Sequence, residues 1–166
     1  MKKSQVAQGR RRARELAVQF LYSLSIRPEQ DLSECLGIFT SEDGVASEKN
    51  AEVKEYLSFL IKGIWSRRIE IDNLMRQVVT GWRPERMVAV DRAVLRMAIF
   101  EGFLEKAVPV AVAISEAVEL ASTFATEDSG KFVNGVLGKL ARFIENKENE
   151  KFNNDAVTSS TVSADR

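Results

Sequence analysis

The segment VPVAVAISEAVELASTFATEDSGKFVNGVLGKL, residues 108–140, predicts two amphipathic helices that are joined by a short polar turn. In the first helix, apolar residues recur at i, i+3, i+4 and i+7 spacing between Val110 and Phe124, after Pro109, which suits the first turn of a helix. A second apolar stripe runs from Val133 to Ile144. The turn between the two, residues 126–130, is rich in side chains that cap helix N-termini. Helices with such apolar faces need other helices to cover them, so the segment indicates a helical bundle.

The rest of the chain shows the same helical periodicity, and no segment shows the sustained alternation typical of a strand. The further helices that it predicts span residues 10–25, 32–39, 53–78 with a break near 66–68, and 85–104. Residues 80–84 form the clearest interior break, because Gly81 can end one helix and Pro84 can open the next.

These patterns together predict an all-α fold, a compact bundle of about six or seven helices in two small helical subdomains that divide near residues 80–84. We expect residues 1–9 to be a flexible basic arm and residues 10–145 to be the helical domain. Residues 146–166 are polar and lack periodicity, so we expect a disordered tail there.

The charges are unevenly distributed along the chain, although 24 basic and 24 acidic residues give a formal net charge of zero. Residues 1–14 contain six basic residues and no acidic ones, which leaves 18 basic and 24 acidic residues, or a net charge of −6, for the remainder. A basic N-terminal segment on an acidic body suggests that this end of the molecule contacts a polyanion.

The composition gives no support for an enzyme or a metalloprotein. Histidine is absent and Cys35 is the only cysteine, so the commonest general base, an intramolecular disulfide and a cysteine metal cluster are all excluded. We therefore expect no cofactor and no metal. Because no apolar run reaches membrane-spanning length and no signal-peptide core follows the basic N-terminus, we expect a cytoplasmic protein that has no membrane partner.

An arginine cluster, Arg10, Arg11, Arg12 and Arg14, opens the first long helix. Positive charge at a helix N-terminus opposes the helix dipole, so helix stability does not explain the cluster. It is either a solvated basic surface or a patch that binds phosphate, for which the guanidinium group is well shaped. Tyr22 on the same helix either rests at the rim of the core or stacks on an unpaired base.

The block ATEDSGKF, residues 125–132, superficially resembles a phosphate-binding loop, but it lacks the first glycine and the Ser or Thr that would hold magnesium. We therefore predict no nucleotide hydrolysis. Asp128 lies in the turn and is expected to cap the following helix, which carries Lys131 and Phe132. Phe132 either packs against a neighbouring helix or provides a surface on which a base stacks.

Three blocks of the sequence resemble, in the same order and at similar spacing, the signature of the NusB family of transcription antitermination factors. These blocks are RRRARELAVQFLYS at residues 10–23, VDRAVLRMAIFE at residues 90–101, and the segment from Val108 onward. The resemblance covers roughly residues 10–144. It implies an all-helical protein without catalytic activity that binds the boxA element of RNA, usually together with a small-subunit ribosomal protein called NusE. It also implies that the protein acts within an antitermination complex on RNA polymerase, notably on ribosomal RNA operons.

The resemblance also implies which residues bind these partners. Carried over by position, the RNA-binding residues are Arg10, Arg11, Arg12, Arg14, Tyr22, Asp128, Lys131 and Phe132. Glu85 and Asp91 would belong to the surface that contacts the ribosomal protein. Some family members self-associate, so the resemblance leaves open whether the chain is a monomer or a homodimer.

Two other functions are consistent with a helical module of this kind. One is a module related to the helical domain that precedes the catalytic domain of some ribosomal RNA cytosine methyltransferases, although no α/β cofactor-binding domain follows here. The other is a protein-only adaptor, in which the arginine helix serves solubility alone.

Overall fold

The computed structural model describes residues 2–27, 31–41 and 43–161, and within these ranges the chain consists of helices joined by short loops. The helices are α1 (Lys2–Ile26), α2 (Leu32–Ser41), α3 (Asp43–Ala46), α4 (Ala51–Ser66), α5 (Arg68–Val78), α6 (Ala89–Ala98), α7 (Val110–Phe124) and α8 (Glu127–Thr161). A 3-10 turn, Pro84–Arg86, precedes α6, and a π-helical segment, Ile99–Leu104, continues it. Seven of the α-helices have ten or more residues, and the described ranges contain no strand, which confirms the predicted all-α fold.

The core is one continuous cluster of buried side chains to which all the longer helices contribute. α1 lies against α4 and α6, and α7 pairs with α8 as the sequence predicts. The apolar stripe of α1 is fully enclosed; its members are Ala13, Leu16, Ala17, Phe20, Leu21 and Leu24. This burial holds the second half of α1 against α4 and α6.

The closest approach of α7 and α8 occurs at Gly130, which is buried in the first turns of α8. A Cβ atom at this position would overlap the hydroxyl oxygen of Ser122 and would lie 3.3 Å from the carbonyl oxygen of Val118. In the sequence, the spacing of Gly135 and Gly138 suggests that the close contact with a neighbouring backbone lies at these two glycines. In the structure, a Cβ atom at Gly135 would meet nothing within 4 Å, and a Cβ atom at Gly138 would meet only the Arg142 side chain. The glycine that permits the close contact is therefore Gly130, which lies earlier in the helix.

Two segments predicted to lack structure are helical. Residues 2–9, expected to be a flexible arm, form the first turns of α1, where Gly9 is buried against Val53 and Asn50 of the α4 region. Residues 146–161, expected to be disordered, continue α8, and residues 162–166 lie outside the described ranges. Charged pairs at helical spacing, such as Glu148 and Lys151, favour helix in this extension, whose described side chains from Asn146 to Asp155 are all exposed.

The predicted break at residues 80–84 is a sharp reversal of the chain after α5. Gly81 has a positive φ of 66°, a conformation that glycine adopts without strain. The core cluster continues across this break, with Met75 on one side and Leu95 on the other. The division into two subdomains at this point stays a prediction. No described helix is long and apolar enough to cross a membrane.

Candidate nucleic-acid interface

Two arginines of the cluster on α1, Arg11 and Arg12, are paired with carboxylates. The Arg11 guanidinium forms an ion pair with Glu119 of α7, and both side chains are about half exposed. Arg12 pairs with Glu15 one turn along α1, with 3.2 Å between Nη1 and Oε2. Because such exposed pairs contribute little stability, the carboxylates can be exchanged for phosphate oxygens at small cost.

Arg10 lies at the edge of this surface and contacts an aromatic ring. Its guanidinium carbon is 4.9 Å from the centre of the Tyr56 ring, a geometry typical of a cation–π contact. A groove of about 470 Å³ adjoins this contact, with Glu52, Glu55 and Phe59 along its wall. Arg10 is thus partly exposed, and its charge faces acidic residues of α4 as well as solvent.

Arg14 is buried, with 3% of its surface exposed, so its predicted role as an RNA contact does not fit the structure. Its Nε lies 2.9 Å from both carboxylate oxygens of Glu101, and its Nη1 lies 3.4 Å from Glu116. Tyr56 donates its hydroxyl hydrogen to the same Glu101 carboxylate, which is fully buried. Arg14 therefore ties α1 to the π-helical segment and to α7, and the sequence could not distinguish it from the exposed arginines because all four stand in one run.

The network changes the protonation equilibria of its members. Burial by itself lowers the pKa of the Arg14 guanidinium, but the hydrogen bond and the negative charge of Glu101 outweigh this effect and raise it. Burial, followed by the hydrogen bond to Glu101, raises the pKa of Tyr56 well above its usual value. Arg14 and Tyr56 consequently keep their protons across the physiological range.

Tyr22 is on α1 about three turns beyond Arg11, at helical spacing on the same stripe. Its side chain is 42% exposed, although Val18 between the two residues is buried. The ring is therefore accessible to an unpaired base. The prediction that Tyr22 binds RNA stays a prediction.

The N-terminus of α8 is capped by Thr126 and not by Asp128. The Thr126 hydroxyl oxygen accepts a hydrogen bond of 3.1 Å from the backbone N–H of Ser129, the contact expected of a residue directly before the helix. Asp128 lies inside the first turn with its side chain exposed, where a negative charge still favours the helix dipole. The cap could not be assigned from the sequence because the turn offers several residues of the capping type.

Lys131 and Phe132 follow on the exposed side of α8. Lys131 Nζ is 3.7 Å from Glu127 in a highly exposed pair. Phe132 is 40% exposed, so its ring is partly covered by the fold and partly open to solvent, and the choice between packing and base stacking stays a prediction. Its ring borders solvent, as a stacking platform requires.

A groove of about 340 Å³ opens beside Phe132. Its lining also includes one aromatic, two basic and one acidic side chain, which belong to Trp82, Arg83, Arg86 and Asp91. Sequence reasoning missed the first three of these, although the stretch Trp82–Arg86 combines an aromatic ring with two arginines in a predicted loop. Such a combination is a signal for nucleic-acid contact.

The two residues predicted to contact the ribosomal protein differ in exposure. Glu85 is exposed in the turn before α6. Asp91 is only 5% exposed, so it offers little surface to a docking protein, and the structure does not support that role. Burial raises the pKa of the Asp91 carboxyl group, and a hydrogen bond with the Ser129 side chain partly offsets this rise.

No group of three or more metal-ligating side chains occurs among the residues that the structure describes. The candidate site therefore consists of arginine, lysine and aromatic side chains on α1 and on the start of α8, with the groove beside Phe132. This arrangement can bind a polyanion whose bases are unpaired.

Comparison with known proteins identifies relatives over most of the chain. The model of the NusB family matches residues 11–142. The transcription antitermination protein NusB of Symbiobacterium thermophilum is 46% identical over 136 residues, which cover 80% of this chain and 89% of that protein. The corresponding protein of Desulforapulum autotrophicum is 40% identical over 133 residues, covering 79% and 90%.

Solved structures with the same fold include NusB of T. maritima, with a TM-score of 0.69 and 34% identity, covering 80% of this chain and 90% of that one. The fold also matches a chain in the crystal structure of the antitermination factors NusB and NusE in complex with double-stranded RNA. That match has a TM-score of 0.72 and 27% identity, and it covers 81% of this chain and 97% of the other.

Proposed function

The chain belongs to the NusB family, and on this premise we propose that it is a transcription antitermination factor that binds boxA-type single-stranded RNA together with a NusE ribosomal protein. In this function it promotes processive transcription of ribosomal RNA operons as part of an antitermination complex on RNA polymerase. The similar chain that was solved with NusE and RNA supports both partners. Relatives that are themselves named as transcription antitermination proteins support the process.

One observation carries the RNA-binding part of the proposal, namely that α7 connects the two candidate surfaces. The Arg11–Glu119 pair joins the arginine surface of α1 to α7, and α7 packs at Gly130 against the turn of α8 that carries Lys131 and Phe132. Cationic and aromatic groups are thus held on one connected framework. Single-stranded RNA is recognised by this combination of phosphate contacts and stacking.

The contacts that we propose for RNA are Arg11, Arg12, Tyr22, Lys131 and Phe132, with Arg10 at the edge. Arg14 acts instead as a buried tie that holds α1 in position. Asp128 lies beside the proposed contacts, and its exposed carboxylate repels phosphate unless the RNA donates a hydrogen bond to it. For NusE we propose Glu85 as a contact and not Asp91.

We further propose that the protein acts in the cytoplasm as a non-catalytic regulator. The family match supports this role, since a binding factor needs a positioned surface and not a nucleophile with its base. The methyltransferase-like module and the protein-only adaptor remain the competing functions.

The test measures the binding of a fluorescently labelled boxA-like RNA to the purified chain, with and without the NusE protein, across a salt series. Each phosphate contact to single-stranded RNA contributes a slope of about −0.7 to the logarithmic dependence of affinity on salt. We expect measurable binding, a negative slope and tighter binding when NusE is present. An RNA of the same length and scrambled sequence is the control.

Binding of NusE without any binding of RNA, alone or in the complex, would favour the protein-only adaptor. Equal affinity for boxA-like and scrambled RNA would leave only a nonspecific polyanion site and would contradict the proposed function.

A further inference from the structure

Two polar atoms beside Phe132 are buried and have no hydrogen-bond partner among the residues that the structure describes. They are the indole Nε1 of Trp82 and the carboxylate Oδ1 of Asp91. The two residues are 7% and 5% exposed, and both line the groove that also contains Phe132. A buried donor or acceptor without a partner destabilises the folded state, so such groups are rare unless something else satisfies them.

The two unsatisfied atoms have complementary chemistry. The indole nitrogen can only donate a hydrogen bond, whereas an ionised carboxylate can only accept. Asp91 already interacts with the Ser129 side chain, which helps to fix its orientation. A ligand that satisfies both atoms must therefore present a donor next to an acceptor.

The mouth of the groove is suited to a nucleotide. Arg83 and Arg86 line it with exposed side chains and provide positive charge, and Phe132 provides an exposed ring. Neither arginine appears in any ion pair found among the described residues. Their charge is consequently available to phosphate groups on either side of a bound base.

We propose that this groove binds one unpaired guanine of the RNA, with its ring stacked on Phe132, its N1–H and N2–H groups donating to Asp91, and its O6 accepting from Trp82. Guanine fits because its Watson–Crick edge places two adjacent N–H donors beside one acceptor. Adenine and cytosine place ring acceptors where the carboxylate needs donors. Uracil has a single N–H donor between two carbonyl oxygens, so it can satisfy the two unpaired atoms but makes one hydrogen bond fewer to Asp91 than guanine does. This inference rests on the proposed function and adds to it a base preference and three residues, Trp82, Arg83 and Arg86.

The experiment compares short oligocytidines that differ at one central position, which is guanosine, inosine or adenosine, by fluorescence anisotropy at fixed salt. Inosine keeps N1–H and O6 but lacks the N2 amino group. We expect the wild-type chain to bind the guanosine oligomer about tenfold more tightly than the adenosine oligomer, since one bidentate base contact gives discrimination of this order. The inosine oligomer should lie between them.

Two variants test the assignment to the groove. Asp91→Asn, which replaces one acceptor oxygen by a donor, should abolish the preference for guanosine while the affinity for oligocytidine stays unchanged. Glu148→Gln is the control, because it removes an exposed carboxylate from the C-terminal part of α8 that does not line the groove, and it should keep the preference. In a Trp65→Phe background, Trp82 is the remaining tryptophan, and its emission should change with the guanosine oligomer and not with the adenosine oligomer.

The outcomes separate this inference from the proposed function. Equal affinity for the three oligomers, while a boxA-like RNA still binds, would overturn the guanine site and leave the proposed function intact. Failure of every RNA to bind would overturn both. If Asp91→Asn does not fold, the wild-type comparison of guanosine with inosine and adenosine decides the question alone.

Discussion

Removing the side chain of Arg14 tests whether this residue supports the fold or contacts RNA. In Arg14→Ala, the fully buried Glu101 carboxylate loses a guanidinium that lies 2.9 Å from both of its oxygens and retains only the hydrogen bond from Tyr56. Breaking a buried pair by deleting one partner typically costs about 3–5 kcal/mol, because an uncompensated charge stays inside. We expect a loss of stability in this range.

The assay is urea unfolding followed by circular dichroism, combined with the salt dependence of RNA binding on protein that is still folded. The double variant Arg14→Met with Glu101→Leu should recover most of the lost stability, since replacing a buried ion pair by apolar side chains is often neutral or favourable. The logarithmic salt slope of the double variant should equal that of the wild type. Arg11→Ala is the comparison, and its slope should become less negative by about 0.7.

A stable Arg14→Ala protein whose salt slope falls by one phosphate contact would refute this reasoning. It would mean that the guanidinium leaves Glu101 for RNA at little cost. The same result would restore Arg14 to the RNA surface that the sequence predicts.

Four further predictions concern the same surface and the end of the chain. Glu119→Gln should tighten RNA binding at low salt, because it removes a carboxylate that competes for Arg11, and the gain should shrink at high salt. The free energy of unfolding should change by less than about 1 kcal/mol. Unchanged RNA affinity would show that the Arg11–Glu119 pair does not face RNA. Phe132→Ala should weaken RNA binding roughly tenfold, as the loss of one stacked base implies, and should barely alter the melting temperature. A large fall in the melting temperature with normal RNA affinity would instead place the ring in the core. Thr126→Ala should lower the free energy of unfolding by about 1 kcal/mol through loss of the cap, whereas Asp128→Asn should leave it nearly unchanged. Asp128→Asn should also strengthen RNA binding at low salt. Weaker binding by a folded Asp128→Asn protein would show that the carboxylate accepts hydrogen bonds from RNA. Ending the chain after Lys147 should leave the melting temperature nearly unchanged, since the described side chains beyond it are exposed, and a fall of many degrees would show that this extension docks on the core.

The sequence predicts the helices of this protein well because their apolar stripes repeat at helical spacing. The stripe from Ala13 to Leu24 is buried as expected, and α7 and α8 pair as expected. The lack of apolar residues beyond residue 145 predicts disorder, but the described part of this segment is helical, because a solvated helix depends on local propensity and charge spacing.

The candidate site is predicted less completely because exposure depends on tertiary packing. Arg11 and Arg14 belong to one run in the sequence, yet Arg11 reaches solvent, whereas Arg14 is buried and forms its ion pairs with residues 87 or more positions away. Asp91 lies in a block that resembles the family, but its burial follows from contacts with α8 that no local pattern encodes. The groove beside Phe132 joins residues 79–91 to residue 132, and only the fold brings these two segments together.

The contact at Gly130 also determines what RNA binding costs in entropy. At this position α8 lies against the Ser122 side chain and the Val118 carbonyl oxygen of α7, with no room for a Cβ atom between them, so the first turns of α8 pack tightly on α7. The Phe132 ring is thus held in place before RNA arrives, and the ordering cost of binding falls mainly on the nucleotide chain. A larger residue at position 130 would have to displace the Ser122 hydroxyl and would crowd the Val118 carbonyl oxygen, so a single hydrogen atom in place of a side chain keeps the aromatic surface pre-organised.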